Sequence, residues 1–273
     1  MKLLDKNFEE IPVRLNGEIE LFKKTKILKT GDALIDEFLS LESTLPIMIA
    51  GSPYTGKTTL AISIASSTIA EGKKVFYIDT EYGFSGTRLK QICKARSLDE
   101  NNITRNMKVL RIDNLDLLFR YVKYACRRYD LIIIDSISRP IIKEMNKQIM
   151  KEGKTDEKIL IKAYNLLHEA IVELSEREKS IMFTNEIIPK IEKEDVFYTL
   201  KLSFNKLAVL AKIIIGMIMR KGRRFMYIER HSFKPSVYEY PVFIEYKIDD
   251  SGIRYLNKVY IERDKISYYV EVY

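Results

Sequence analysis

The stretch Gly51-Ser52-Pro53-Tyr54-Thr55-Gly56-Lys57-Thr58 fits the spacing GxxxxGK[ST] in full. Its glycines let the backbone curl so that successive N–H groups face an anion, and a helix N-terminus just beyond adds favourable partial charge. Lys57 has the reach for the β- and γ-phosphates of a nucleotide. The Thr58 hydroxyl is a ligand for Mg²⁺, and Thr59 carries the cradle into the helix. Such a loop needs a second carboxylate on the magnesium side, at the end of a buried strand. Asp135, closing Leu131-Ile132-Ile133-Ile134, is the candidate. Hydrolysis also needs a group that orients water. The residue after Asp135 is Ser136, so the acid is sought elsewhere. Glu81 ends the strand Val75–Ile78 in Ile78-Asp79-Thr80-Glu81, while Asp79 sits closer to the strand body. Thr184-Asn185-Glu186 closes a later strand. Asn185 and Glu186 there either sense the γ-phosphate or cap the following segment.

Other nucleotide chemistries lack their residues. A guanine-reading Asn-Lys-x-Asp is missing, because Asn205-Lys206 runs into Leu207-Ala208 and Asn257-Lys258 into Val259-Tyr260. There is no GxGxxG and no CxxC spacing, so the cofactors expected are ATP and Mg²⁺. Two cysteines, Cys93 and Cys126, make no disulfide framework, and two histidines argue against a His-rich metal site or a His-dependent triad. With 46% apolar and 31% charged residues over 273 positions the composition is globular. No run approaches 18 apolar residues and MKLLDKNFEE is no signal sequence, which points to the cytoplasm and away from a membrane.

The elements that must hold these residues alternate. Residues 1–29 are too short for a domain and read as an N-terminal extension; 30–273 read as one core. Thr30 and Asp32 precede a short helix at 34–39, then a strand runs into Gly51 and a helix covers 57–71. A strand at 75–78, a helix near 85–96, a strand near 107–112 and a helix near 113–128 follow. Beyond the strand at 131–134 come helices near 140–152 and 157–177, then a strand at 181–184. This βα rhythm predicts a mainly parallel sheet with helices on its faces. After residue 212 the rhythm changes to strands at 212–220, 223–231, 242–248, 253–261 and 266–272. Turns at Lys221-Gly222 and Asp249-Asp250-Ser251-Gly252 make this an antiparallel extension.

The formal charge is +8, and residues 201–224 alone contribute +7 with no Asp or Glu among them. Lys221, Arg223 and Arg224 in that segment are candidate contacts to a nucleic-acid backbone. Arg139, Lys143, Lys147 and Lys151 recur every four residues and form a basic stripe on a helix, opposite Ile142, Met145 and Ile149. Both stretches also read as ordinary solvated faces.

Taken together, these pieces resemble the RecA/RadA recombinase family, most closely its short archaeal RadB-like paralogues. The matching residues are Thr30-Gly31, Gly51–Thr58, Tyr77-Ile78-Asp79-Thr80-Glu81 with Arg88 downstream, Asp130–Ser136, Phe183-Thr184-Asn185, and Glu229-Arg230-His231-Ser232-Phe233-Lys234-Pro235. They span about 28–255. The resemblance implies a RecA-like P-loop ATPase core with Glu81 as catalytic acid, Asp135 on magnesium and Arg88 near the adenine. It also implies a cis Asp135–Ser136 peptide, a first DNA loop near 139–151, single-stranded DNA as a ligand and a RadA-type recombinase as a partner. The sequence departs from the family in four places. Tyr82 follows Glu81, Glu186 stands where the family has an amide, Ile187–Ser203 holds no glycine, and no Phe-x-x-Ala motif lies near Phe22. These departures speak against strand exchange and filament formation. Three readings follow: a slow Mg²⁺-dependent ATPase of recombination or repair, a nucleotide-gated protein-binding module, and a KaiC-like signalling ATPase.

Overall fold

The computed structural model describes residues 26–153, 157–186, 197–199, 205–262 and 266–268. Most of the expected N-terminal extension, Lys201, most of the glycine-free stretch 187–203 and the end of the last expected strand lie outside them. Where 26–29 are described, Leu28 N donates to the Leu41 carbonyl at 2.8 Å, and Ile27 bridges Glu42.

Helix α1 (Ala33–Leu39) is capped by the Asp32 carboxylate, which accepts from the N–H groups of Leu34 and Ile35. Then follow β1 (Ile47–Gly51), α2 (Lys57–Ala70), β2 (Val75–Asp79), α3 (Gly86–Ala95), α4 (Glu100–Asn106), β3 (Met107–Arg111), α5 (Leu115–Cys126) and β4 (Leu131–Asp135). Helices α6 (Ser138–Glu152) and α7 (Lys158–Ser175) lead to β5 (Ser180–Glu186), β6 (Phe197–Thr199) and α8 (Asn205–Ala208). The described chain ends with β7 (Ile213–Arg220), β8 (Arg223–Arg230), β9 (Val242–Asp249), β10 (Gly252–Tyr260) and β11 (Ile266–Tyr268).

One nine-stranded sheet has the order β10-β9-β8-β7-β1-β5-β4-β2-β3. From β3 to β7 the pairing is parallel, and from β7 to β10 it is antiparallel, as the change of rhythm predicts. Apart from the edge strand β3, the parallel strands are buried on both faces because alternate residues feed two cores. Met48, Ala50, Ile132, Ile134 and Phe183 pack toward α5, α6 and α7. Ile47, Ile49, Tyr77, Ile133 and Met182 pack toward α1, α2, α3 and α4. The β7–β8 turn places Lys221 and Gly222 at φ 46° and 74°, left-handed at both central positions as a tight hairpin requires. Gly216 has another cause: a Cβ there would come within 2.0 Å of the ring of Tyr227, its cross-strand partner.

Three expectations change. Of the strand expected at 266–272, the described part, β11, lies outside the antiparallel extension and pairs in parallel with β6 in a separate two-stranded sheet. Helix α4 is absent from the sequence reading; it buries Ile103 alone and leaves no apolar stripe. On α6 the buried residues are Ser138, Pro140 and Ile141, while Ile142 and Ile149 are exposed. Met145 packs on the core as expected, but with Ile141 and not with Ile142 and Ile149, so the inner face is rotated from the one predicted. No helix among the described residues is long and apolar enough to cross a membrane.

Candidate functional site

The parallel register brings four strand ends together: Gly51 of β1 pairs with Glu186 of β5, and Asp79 of β2 with Asp135 of β4. Strand β1 stands where the chain reverses direction across the sheet, and crevices at such points take ligands in open α/β folds. The loop 51–57 curls through left-handed residues, Tyr54 at φ 63° and Gly56 at φ 99°. Inside it the Thr55 hydroxyl donates to the Ser52 carbonyl at 2.9 Å. Lys57 Nζ folds back onto the carbonyls of Gly51 and Ser52 at 2.9 and 3.0 Å. Burial pulls the Lys57 pKa down, and the carboxylates of Glu186, Glu81 and Asp135 oppose that pull. One buried ammonium thus faces three acids drawn from three different strand ends.

Asp135 is buried and held on both oxygens. Tyr77 OH donates to Oδ2 at 2.6 Å and Thr184 Oγ1 to Oδ1 at 2.5 Å. Burial, then Asp135 itself, push the Tyr77 phenol well above its ordinary range, so it stays a donor. The Asp135–Ser136 peptide is cis. The Ser136 hydroxyl donates to Glu81 and lies 2.9 Å from the Ser138 hydroxyl, which in turn accepts from Glu186 N at 3.3 Å. Burial raises the Glu81 pKa; the Ser136 hydroxyl lowers it, and the nearby Glu186 and Asp135 carboxylates raise it further. Thr58 faces the same space, since a Cβ on Gly83 would lie 3.9 Å from its hydroxyl. Thr58, Asp135 and Glu81 offer hard oxygen donors of the kind Mg²⁺ takes while keeping waters and phosphate oxygens. Among the described residues no three His, Cys, Asp or Glu make an all-protein metal cluster. Asn185 is 1% exposed, and neither its amide oxygen nor its nitrogen has a partner.

The remaining sequence candidates lie elsewhere. Arg88 donates to the Asp249 carbonyl and, at 3.3 Å, to Gln91 Oε1, tying α3 to the β9–β10 turn. On α6, Lys143 pairs with Asp113 and Lys147 with Glu144, while Arg139 is exposed. Arg223 forks onto Glu245 of β9, with Nε 2.5 Å from Oε1. Arg224 Nε donates to the Tyr54 carbonyl at 3.2 Å. The basic segment is therefore neither unpaired nor continuous. Glu245 neutralises Arg223, and the length of β7, about 25 Å, separates Lys212 from Lys221.

Three roles escape the sequence reading, the first of them that of Asp79, which it weighs only against Glu81. Asp79 accepts from Gly83 N at 3.0 Å and Phe84 N at 3.1 Å and faces Arg111 Nε at 3.5 Å. It thereby shapes the loop that carries Glu81. An Asp four and five residues before two loop N–H groups is an available local signal. Tyr77 and Tyr246, whose hydroxyl donates to the Thr55 carbonyl at 2.6 Å, had none: each meets its partner only once distant elements pack.

Comparison with known proteins bears on the family and the fold. A family model described as Rad51 matches residues 23–254. The DNA repair and recombination protein RadB of Thermococcus sibiricus is 27% identical over 252 residues, covering 85% of this chain and 97% of that protein. Its namesake in Pyrococcus abyssi is 26% identical over 230 residues, covering 83% and 93%. A solved structure, the crystal structure of the RadB recombinase, superposes with a TM-score of 0.64 at 22% identity, covering 85% of this chain and all of that one, a likeness of fold.

Proposed function

The chain belongs to the Rad51 family, and on that premise we propose that it is a RadB-like ATPase of recombination or repair that binds single-stranded DNA and modulates a RadA-type recombinase. The observation that carries this reading is the curled loop at the end of β1, with the Lys57 ammonium folded onto its carbonyls, beside the strand end that bears Asp135. Residues Gly51 to Thr59 would hold the phosphates, and Thr58 and Asp135 would hold magnesium, which when bound would supply charge neutralisation to the phosphates. The Lys57 ammonium leaves the loop's own carbonyls for phosphate oxygens. Glu81 orients water, with its carboxylate steadied by the Ser136 hydroxyl. Arg88 lies near the adenine, and Asn185 and Glu186 answer to the γ-phosphate. Asn185 has two unpartnered polar atoms at the edge where such a response starts.

A second reading, a nucleotide-gated binding module with negligible hydrolysis, is favoured by Glu186. It pairs in register with Gly51 at the mouth of the phosphate loop, where its carboxylate meets a γ-phosphate with like charge. Phosphate release by wild type, Glu81→Gln and Lys57→Ala, with nucleotide binding measured in parallel, separates the two. The ATPase reading expects Lys57→Ala to lose binding, and Glu81→Gln to bind but release phosphate at least tenfold more slowly. Equal background release from wild type and Glu81→Gln, with binding intact, selects the module.

A further inference from the structure

A phosphate loop works only while its peptide N–H groups face the anion. In a trans peptide the C=O and N–H point to opposite sides. Every N–H turned inward therefore leaves a carbonyl turned outward that needs a donor of its own. Five of the loop carbonyls have partners, and these five divide into two groups. Those of Gly51 and Ser52 accept from Lys57 Nζ, Ser52 also from the Thr55 hydroxyl, and that of Gly56 from Leu60 N at 2.9 Å. These partners belong to the loop and its helix. Those of Tyr54 and Thr55 are met from the antiparallel extension instead. Arg224 Nε reaches Tyr54 O at 3.2 Å, and the buried Tyr246 hydroxyl reaches Thr55 O at 2.6 Å. Arg224 and Tyr246 are direct cross-strand partners on β8 and β9, so both donors come from one rung. Two residues along β9, Ile248 packs so close to Gly56 that a Cβ there would meet its Cδ1 at 2.5 Å.

We propose that Arg224 and Tyr246 are positioning residues of the phosphate loop. By holding the Tyr54 and Thr55 carbonyls outward, they fix the next two peptides so that Thr55 N–H and Gly56 N–H are presented to the anion. Without the rung these peptides are free to rotate, and a rotated peptide offers phosphate a carbonyl. This rests on the nucleotide-binding reading of residues 51–58, and it assigns Arg224 to the loop and not to a nucleic-acid surface.

The test is binding of a fluorescent ADP analogue with Mg²⁺, in the absence of any DNA, to the full chain. The proteins are wild type, Tyr246→Phe, Arg224→Met, Arg224→Lys and, as control, Lys57→Ala. Loss of one hydrogen bond predicts roughly three- to tenfold weaker binding for Tyr246→Phe and for Arg224→Met. Arg224→Lys, which keeps a donor, regains most of the loss. A role in stability alone would lower the melting temperature of the ligand-free protein and leave affinity untouched. Wild-type affinity in both Tyr246→Phe and Arg224→Met, with Lys57→Ala defective, overturns this inference and leaves the nucleotide reading standing. No binding by wild type overturns both. Should Tyr246→Phe not fold, the Arg224→Met and Arg224→Lys pair decides.

Discussion

At the residue scale, the chemistry sits on side chains whose aim is set by their neighbours. Lys57, Asp135 and Glu81 were legible because each stands at a position the local string defines: the end of a glycine loop, the end of an apolar run, two residues past a strand. Asp79 was passed over because its work is not to meet a ligand. It accepts from two successive N–H groups and bends residues 80–84 into the turn that presents Glu81. Asp79→Asn keeps the volume but turns an amide N–H₂ toward one of those donors, and it removes the charge facing Arg111. Turnover is expected to fall about tenfold, with nucleotide affinity near wild type because the phosphate loop is separate. Steady-state kinetics beside equilibrium binding check this; unchanged turnover would show that the turn holds without the carboxylate.

At the scale of elements, the alternation of strands and helices was readable almost throughout, since apolar runs of four or five residues and their glycine ends are local features. Helix α4 was not, because one buried isoleucine among polar residues gives no period. The face of α6 was misassigned for a related reason. Spacings through Ile142 and through Ile141 both fit a helix, and only its seating on the core selects the latter. The basic segment shows the same limit: a scan of its own residues finds no acid, yet Glu245 of β9 comes to Arg223 across the sheet. Lys221 at the tip of the β7–β8 hairpin is exposed and is the better probe of DNA binding. If the hairpin contacts the backbone of a single strand, Lys221→Ala should weaken binding similarly for different sequences. It should also reduce the slope of log affinity against log salt by about 0.7. Anisotropy titrations over a salt series measure both, and an unchanged slope would exclude that contact.

For the whole molecule, stability couples to pH through a group remote from the site. Glu229 on β8 is largely buried, and burial lifts its pKa from 4.5 to about 7, against the opposing effects of the Tyr238 hydroxyl and Arg230. The folded state thus holds a proton that the unfolded chain releases near 4.5. The contribution is full below that pH and is lost as pH rises toward 7, about 3 kcal/mol across the window. Glu229→Gln removes the titration, so its melting temperature should fall less than that of wild type between pH 5 and pH 8. Parallel slopes would mean that Glu229 does not carry the shift. A last consequence follows from the bond between Tyr246 and the Thr55 carbonyl. The two residues lie 191 positions apart, so a ribosome completes the loop long before it makes the tyrosine that steadies it. Domains fold largely as they emerge, yet on the proposed role of the β8–β9 rung a nucleotide would be gripped fully only after β9 has appeared. Ligand stabilisation then favours the nearly finished chain over its own nascent fragments.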